Sequence, residues 1–303
     1  MKKAILFAGQ GAQYVGMGKS LYESNAHSKV IFDAAGEVAT WCFEGPKELL
    51  NQTQYTQPSV FTVSIAVYEA IKAHGVKVDA VAGFSLGEYA ALVAGGVLSF
   101  TQCLKLVRQR GQWMEQAVPS GGGMAAVLGA TEQTVQEILS RVTHLGICEA
   151  VNFNCPGQIV IAGQEQPLAQ AAILCKEYKA KYIKLPVSVP AHTSMLAGVA
   201  QKIESALNEM DVCQPIMPIM SNVTGEAYKA DELVATVAKQ VMRPVLWEKT
   251  IRNMIADGFD TFIEVGPGKT LSGLVKKIDS TVTIINIEDA QSLENAIAGG
   301  LIC

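Results

Sequence analysis

The chain has 303 residues, 49% of them apolar and 17% charged, enough for a large buried core and about two domains. Its net charge of −4 lacks the basic footprint that general nucleic-acid binding needs. The seven cysteines are scattered and never in C-x-x-C spacing, which argues against a disulfide framework or a zinc site and for a reducing compartment.

In chain order, Met1-Lys2-Lys3 precedes an apolar run of only six residues, Ala4 to Gly9, too short for a signal-peptide core, and no run approaches a membrane span. A cytoplasmic protein is the expectation. A short strand, Ala4 to Phe7, ends in Gly9-Gln10-Gly11-Ala12-Gln13, a loop able to approach a ligand closely. The apolar run Val78 to Ala82 then leads into Gly83-Phe84-Ser85-Leu86-Gly87, and a helix-forming run from Glu88 to Val93 follows. G-x-S-x-G between a strand and a helix predicts a nucleophile elbow, with Ser85 raised above a sheet edge and N–H groups of the new helix facing a developing oxyanion.

A helix is predicted over 101–118. Cys103, Leu106, Val107, Arg110 and Met114 form its inward stripe, so Arg110 points where an unpaired charge is costly. Two explanations stay open: an internal partner such as Glu88 or Glu264 (or a snorkelling stem), and a clamp for a substrate carboxylate or phosphate. Pro119-Ser120-Gly121-Gly122-Gly123 is the clearest linker. After it the pattern reads strand 124–128, helix 132–142, strands 148–153 and 158–162, helix 166–178 and strand 181–187. That β-α-β-β-α-β order predicts a ferredoxin-like unit over 123–190, inserted between core segments 1–122 and 191–303. Strands at 261–265 and 281–287 complete a doubly wound parallel α/β core.

A serine nucleophile needs a base. His74 and His144 suit helix C-termini, and His27 lies in a polar surface stretch. His192 lies on a strand-to-helix loop, where open α/β sheets gather active sites, and is the candidate base; an ordinary loop histidine is the alternative. No acid completes a triad. Glu88 and a backbone carbonyl are both open as the group orienting the imidazole. Gly266-Pro267-Gly268-Lys269-Thr270 fails the phosphate-loop spacing, because Ile263 stands where the first glycine belongs, and reads as a turn opening a helix. Lys176, Lys179, Lys181 and Lys184 form either a solvated face or a contact for an acidic partner or coenzyme phosphates.

Taken together these motifs resemble the malonyl-CoA:acyl-carrier-protein transacylase family of bacterial fatty acid synthesis, related to acyltransferase domains of polyketide synthases. The likeness spans nearly the whole chain through Phe7-Ala8-Gly9-Gln10-Gly11-Ala12-Gln13, Gly83 to Tyr89, Arg110-Gly111, Val151 to Gly157, Val187 to His192 and Glu264 to Lys269. The resemblance implies an α/β-hydrolase-like core with a ferredoxin-like insertion, Ser85 as acyl acceptor and His192 as its base. It implies an oxyanion hole from the amides of Gln10 and Leu86, and Arg110 paired with the malonyl carboxylate. It assigns the main-chain carbonyl of Gln240 to orienting His192, and places Asn152 and Asn154 near the pantetheine arm. Malonyl-CoA and acyl carrier protein are the implied partners, with no metal or redox cofactor, and the protein is expected to be a monomer. Phe84 stands where the family commonly has histidine, which leaves the choice between malonyl and methylmalonyl open. Ala8, Ala12 and Ala191 replace the usual proline, serine and serine.

Overall fold

The computed structural model describes residues 2–302. Two sheets organise the chain. The first has five strands: β1 (Lys2–Phe7), β2 (Ala80–Gly83), β7 (Ile219–Met220), β8 (Phe259–Val265) and β9 (Thr283–Ile287). Their spatial order is β7-β2-β1-β8-β9, and every pairing is parallel. The apolar runs of β1, β2 and β8 follow from this, because a parallel sheet is covered by helices on both faces. Its strands end together, with Phe7 opposite Gly83 on one side and Val265 on the other, so the loops after β1, β2 and β8 meet at one edge.

The second sheet contains β3 (Gly122–Leu128), β4 (Cys148–Cys155), β5 (Gln158–Gln164) and β6 (Lys181–Lys184). All its pairings are antiparallel, in the order β4-β5-β3-β6 that the predicted β-α-β-β-α-β unit demands. Two helices, Glu132–Ser140 and Glu165–Glu177, cover one face over a core that includes Ile138, Ile161 and Leu174. The other face presents Met124, Ala126 and Val160 towards the parallel sheet's loop edge. The mixed α/β architecture agrees with the predicted class. Strand β6 ends at Lys184 rather than at Val187, because residues 185–191 leave the sheet and return to the core.

Between residues 19 and 73, where no element was predicted, lie five helices. The longest, Thr53–Ala73, is buried almost continuously from Thr56 to Tyr68 and carries Pro58. A helix enclosed on nearly all sides shows no amphipathic stripe, so periodicity misses it. It packs along the Phe100–Ala117 helix, which runs one residue earlier than predicted at each end and does bury Arg110. The Gly266 to Lys269 turn opens the helix Thr270–Ile278, as expected. No helix of the described residues is long and apolar enough to cross a membrane.

Candidate active site

The turn after β2 is as tight as its glycines suggest. A Cβ on Gly83 would collide with the carbonyl of Gly87, and one on Gly87 would collide with the carbonyl of Phe7. Ser85, between them, takes a left-handed backbone (φ 52°), a strained conformation for a residue with a side chain. Asn222, just after β7, holds it: its Oδ1 accepts from the Ser85 N–H at 2.7 Å and its Nδ2 donates to the Gly83 carbonyl at 2.7 Å. The helix Gly87–Ala94 starts directly beyond. The N–H groups of Gln10 and Leu86 donate to no acceptor among the described residues, which leaves two main-chain donors beside the elbow.

His192 lies where the chain re-enters the core, and it too has a left-handed backbone (φ 66°). Its N–H donates to the Val241 carbonyl at 2.9 Å. Its ring Nδ1 faces two carbonyls, Gln240 at 2.8 Å and Arg243 at 3.1 Å. Carbonyls only accept, so Nδ1 carries the proton and Nε2 carries the lone pair. Ser85 Oγ lies 2.7 Å from that Nε2 and donates to it. Burial, and next the positive charge of Arg110, push the His192 pKa down to about 4, which keeps the ring neutral and able to accept a proton.

The open choice between Glu88 and a carbonyl as the orienting group resolves towards the carbonyls. Glu88 is 1% exposed and is not among the hydrogen-bond partners of the His192 ring. Its carboxylate accepts from Tyr228 Oη, from the Asn222 N–H at 3.2 Å and from Gln240 Nε2 at 3.0 Å. Burial raises its pKa to about 7.

Arg110 is 1% exposed and forms no salt bridge among the described residues. Its two terminal nitrogens donate to neutral amide oxygens, Nη1 to Gln57 Oε1 at 2.8 Å and Nη2 to Gln240 Oε1 at 3.2 Å. The guanidinium carbon lies 5.1 Å from the Tyr89 ring centre, and Nε has no partner. Glu264, the other internal acid considered for it, instead accepts from the N–H groups of Leu271 and Ser272 at 2.8 and 2.7 Å. Arg110 is thus a buried cation held by dipoles, with its charge not cancelled by direct contact.

Ser85, His192, Arg110, Gln10, Asn152 and Asn154 all line one cavity of about 230 Å3. Phe84, packed edge-on to Trp247 with ring centres 5.4 Å apart, forms part of its wall with Met124, Ala126 and Val160 of the antiparallel sheet. Asn152 and Asn154 are nearly buried, and Asn154 Oδ1 lacks a partner. Gln240 meets His192 through its carbonyl, while Leu86 is buried at the elbow. His27, His74 and His144 lie outside this cavity. Three further contributors were not found from sequence: Gln57, Asn222 and Tyr228. Gln57 belongs to the helix without periodicity. Asn222 and Tyr228 follow a strand of only two residues. No cluster of three or more His, Cys, Asp or Glu among the described residues could hold a metal ion.

A serine hydroxyl hydrogen-bonded to a histidine ring, with a buried cation lining the same cavity, is an arrangement chemically able to carry out nucleophilic acyl transfer. The chain belongs to the acyl transferase domain family, whose model matches residues 5–296, and it is an acyltransferase. Within that family it is 43% identical to the malonyl CoA-acyl carrier protein transacylase of Bacillus subtilis (strain 168), covering 98% of this chain and 96% of the relative. The crystal structure of malonyl CoA-acyl carrier protein transacylase from Clostridium perfringens superposes with a TM-score of 0.95 at 45% identity, covering 99% of this chain and 98% of that one. A malonyl-transacylase in complex with its type II PKS acyl-carrier protein superposes at 0.94, with 33% identity over 99% of this chain and 100% of that one.

Proposed function

We propose that this protein transfers the malonyl group of malonyl-CoA to the phosphopantetheine thiol of acyl carrier protein, supplying fatty acid synthesis in the cytoplasm. The observation that carries the reading is Arg110. It is a buried cation with no carboxylate in contact, and it opens onto the cavity that holds Ser85 and His192. An acyl group bearing its own carboxylate is the substrate that such a pocket fits.

In this reading Ser85 Oγ attacks the thioester carbonyl while His192 Nε2 takes its proton. The resulting oxyanion accepts from the amides of Gln10 and Leu86. As the tetrahedral centre collapses, His192 returns the proton to the departing sulfur, and coenzyme A leaves a malonyl ester on Ser85. The carrier-protein thiol then gives its proton to His192 and attacks the ester. Collapse restores the Ser85 hydroxyl and releases malonyl carrier protein. Arg110 holds the distal carboxylate in both halves, which orients the ester for a thiol. Asn152 and Asn154 contact the pantetheine arm. The steps use side chains, main-chain amides and two thiols, and no cofactor enters them. Residues 1–122 with 191–303 act as the catalytic core, and 123–190 form the subdomain that closes the cavity.

Intact-mass measurement after exposure to malonyl-CoA tests this. The wild-type chain is expected to gain one malonyl group, which carrier protein then discharges, and Ser85→Ala is expected to gain none. Malonate released equally fast with or without carrier protein would instead make the protein a hydrolase. The similarity to the polyketide transacylase complex favours a second reading, in which the acceptor is a polyketide carrier protein. Comparing discharge by fatty-acid and polyketide carrier proteins separates the two.

A further inference from the structure

The chemistry above uses only the main-chain carbonyl of Gln240. Its side chain, on a residue 1% exposed at the end of the helix Leu233–Gln240, has four polar neighbours of its own. Gln240 Oε1 accepts from Arg110 Nη2 at 3.2 Å. Gln240 Nε2 faces three oxygens: the Ser85 carbonyl at 2.7 Å, Glu88 Oε2 at 3.0 Å and Asn222 Oδ1 at 3.4 Å. The amide fits in one orientation only. Reversed, it would set an NH2 group against the guanidinium and an oxygen against three oxygens. Its dipole therefore lies with the negative end on the buried cation and the positive end on the buried carboxylate. Glu88 is held in turn by Tyr228 Oη and the Asn222 N–H, so the amide has an anchored partner at its far end.

We propose that the side-chain amide of Gln240 is a positioning residue for acyl selectivity: it aims Arg110 into the cavity and ties it to the serine turn without cancelling its charge. The charge must stay available. A carboxylate at this position would pair with Arg110 from inside and compete with a substrate carboxylate. An apolar residue of similar length would leave Nη2 unpartnered and the guanidinium free to swing. Gln57 supports Nη1 from the opposite side but has no contact with the elbow, whereas Gln240 touches the arginine, the serine backbone and the histidine ring.

The proposal rests on the reading of Arg110 as the grip for a malonyl carboxylate, so Arg110→Ala belongs in the same experiment. Carrier-protein loading is measured with malonyl-CoA and acetyl-CoA for the wild type, Arg110→Ala, Gln240→Met and Gln240→Glu. Reaction of Ser85 with a small uncharged fluorophosphonate reports separately on the serine–histidine pair. Gln240→Met is expected to raise KM for malonyl-CoA by about 10- to 100-fold, the scale of a lost hydrogen bond to a charged group, with a smaller change for acetyl-CoA. Gln240→Glu is expected to shift the malonyl-to-acetyl ratio the same way, with recovery at low pH as the new carboxylate protonates. Either variant suffices if the other fails to fold. A folded Gln240 variant that keeps the wild-type ratio, or loses both substrates and fluorophosphonate labelling in equal measure, overturns the proposal. If Arg110→Ala shifts the ratio while both Gln240 variants do not, only the proposal fails. If Arg110→Ala leaves the ratio intact, the malonyl grip fails with it.

Discussion

Two buried charges, each 1% exposed, behave in opposite ways in this molecule. Glu264, on β8, has both oxygens filled: Oε1 accepts from the Leu271 N–H, and Oε2 accepts from the N–H and hydroxyl of Ser272 at 2.7 and 2.5 Å. It sits at the start of the Thr270–Ile278 helix, where the dipole also favours an anion. Arg110 has two amide oxygens and an aromatic face, and its Nε is unpartnered. The first charge is spent on joining a strand to a helix. The second has an unpartnered Nε and lines the cavity that Ser85 and His192 also line, as the proposed grip on a substrate carboxylate requires. From sequence, Arg110 reads as a charge on an apolar stripe and Glu264 as one possible internal partner for it. Only the partners tell them apart.

The largest expected effect separates them by activity. Arg110→Ala should lower malonyl transfer by about two to four decades, because a substrate carboxylate is left unpaired in a poorly solvated pocket, while acetyl transfer falls far less. Folded Glu264→Gln should transfer both acyl groups at nearly wild-type rates. Steady-state loading of carrier protein measures each. Equal loss of both acyl groups in Arg110→Ala would remove the distinction.

A second effect is on stability. Glu264→Gln turns an NH2 group towards main-chain donors and should cost about 1–3 kcal/mol of stability, read as a lower denaturant midpoint. Arg110→Ala also costs stability, because it empties a buried site and leaves Gln57 Oε1 and Gln240 Oε1 without their donor, so the two charges are told apart by the malonyl-to-acetyl ratio and not by the melt.

The smallest effect is in pH dependence. With its pKa held down to about 4 by burial and by Arg110, His192 stays largely neutral over the range in which a free histidine, titrating near 6.5, takes up its proton. Fluorophosphonate labelling of Ser85 should therefore hold steady as pH falls and decline only near pH 4. Without Arg110 one of the two downward influences is gone, so the decline should begin at higher pH. Stability carries the same sign. An unfolded histidine binds its proton near 6.5 and the folded one near 4, so this group makes stability fall as pH drops through that window. Glu88 acts oppositely. Its carboxyl is raised from 4.5 to about 7, so the folded state holds the extra proton and stability falls as pH rises across that range. Replacing Glu88 by glutamine should leave the histidine slope alone, which a pH series of denaturant melts would show.

Much of the site was legible in the chain because its signals are local. Gly83 and Gly87 bracket a serine between a strand and a helix, and the structure has that turn in that place. Arg110 interrupts an apolar stripe at helical spacing, and the helix does bury it. The β-α-β-β-α-β alternation preserved the second sheet's strand order. The first two depend on residues within one element or one turn of one another, and the third on the order of elements along a continuous stretch of chain.

What the chain could not disclose was which distant groups complete those local features. The imidazole Nδ1 faces carbonyls of Gln240 and Arg243; the family resemblance pointed to Gln240, but nothing in the residues themselves did and nothing pointed to Arg243, because every residue has a carbonyl. Asn222 steadies Ser85 from 137 positions away, and Gln57 meets Arg110 from a helix too enclosed to show a period. By itself the sequence determined the elbow, the buried cation and the class of fold, since short-range sterics and side-chain spacing decide those. The tertiary structure alone decided that histidine, serine and arginine share one cavity and that no carboxylate among the described residues pairs directly with the arginine. Those facts depend on how separate elements pack, and packing is set by the whole core at once.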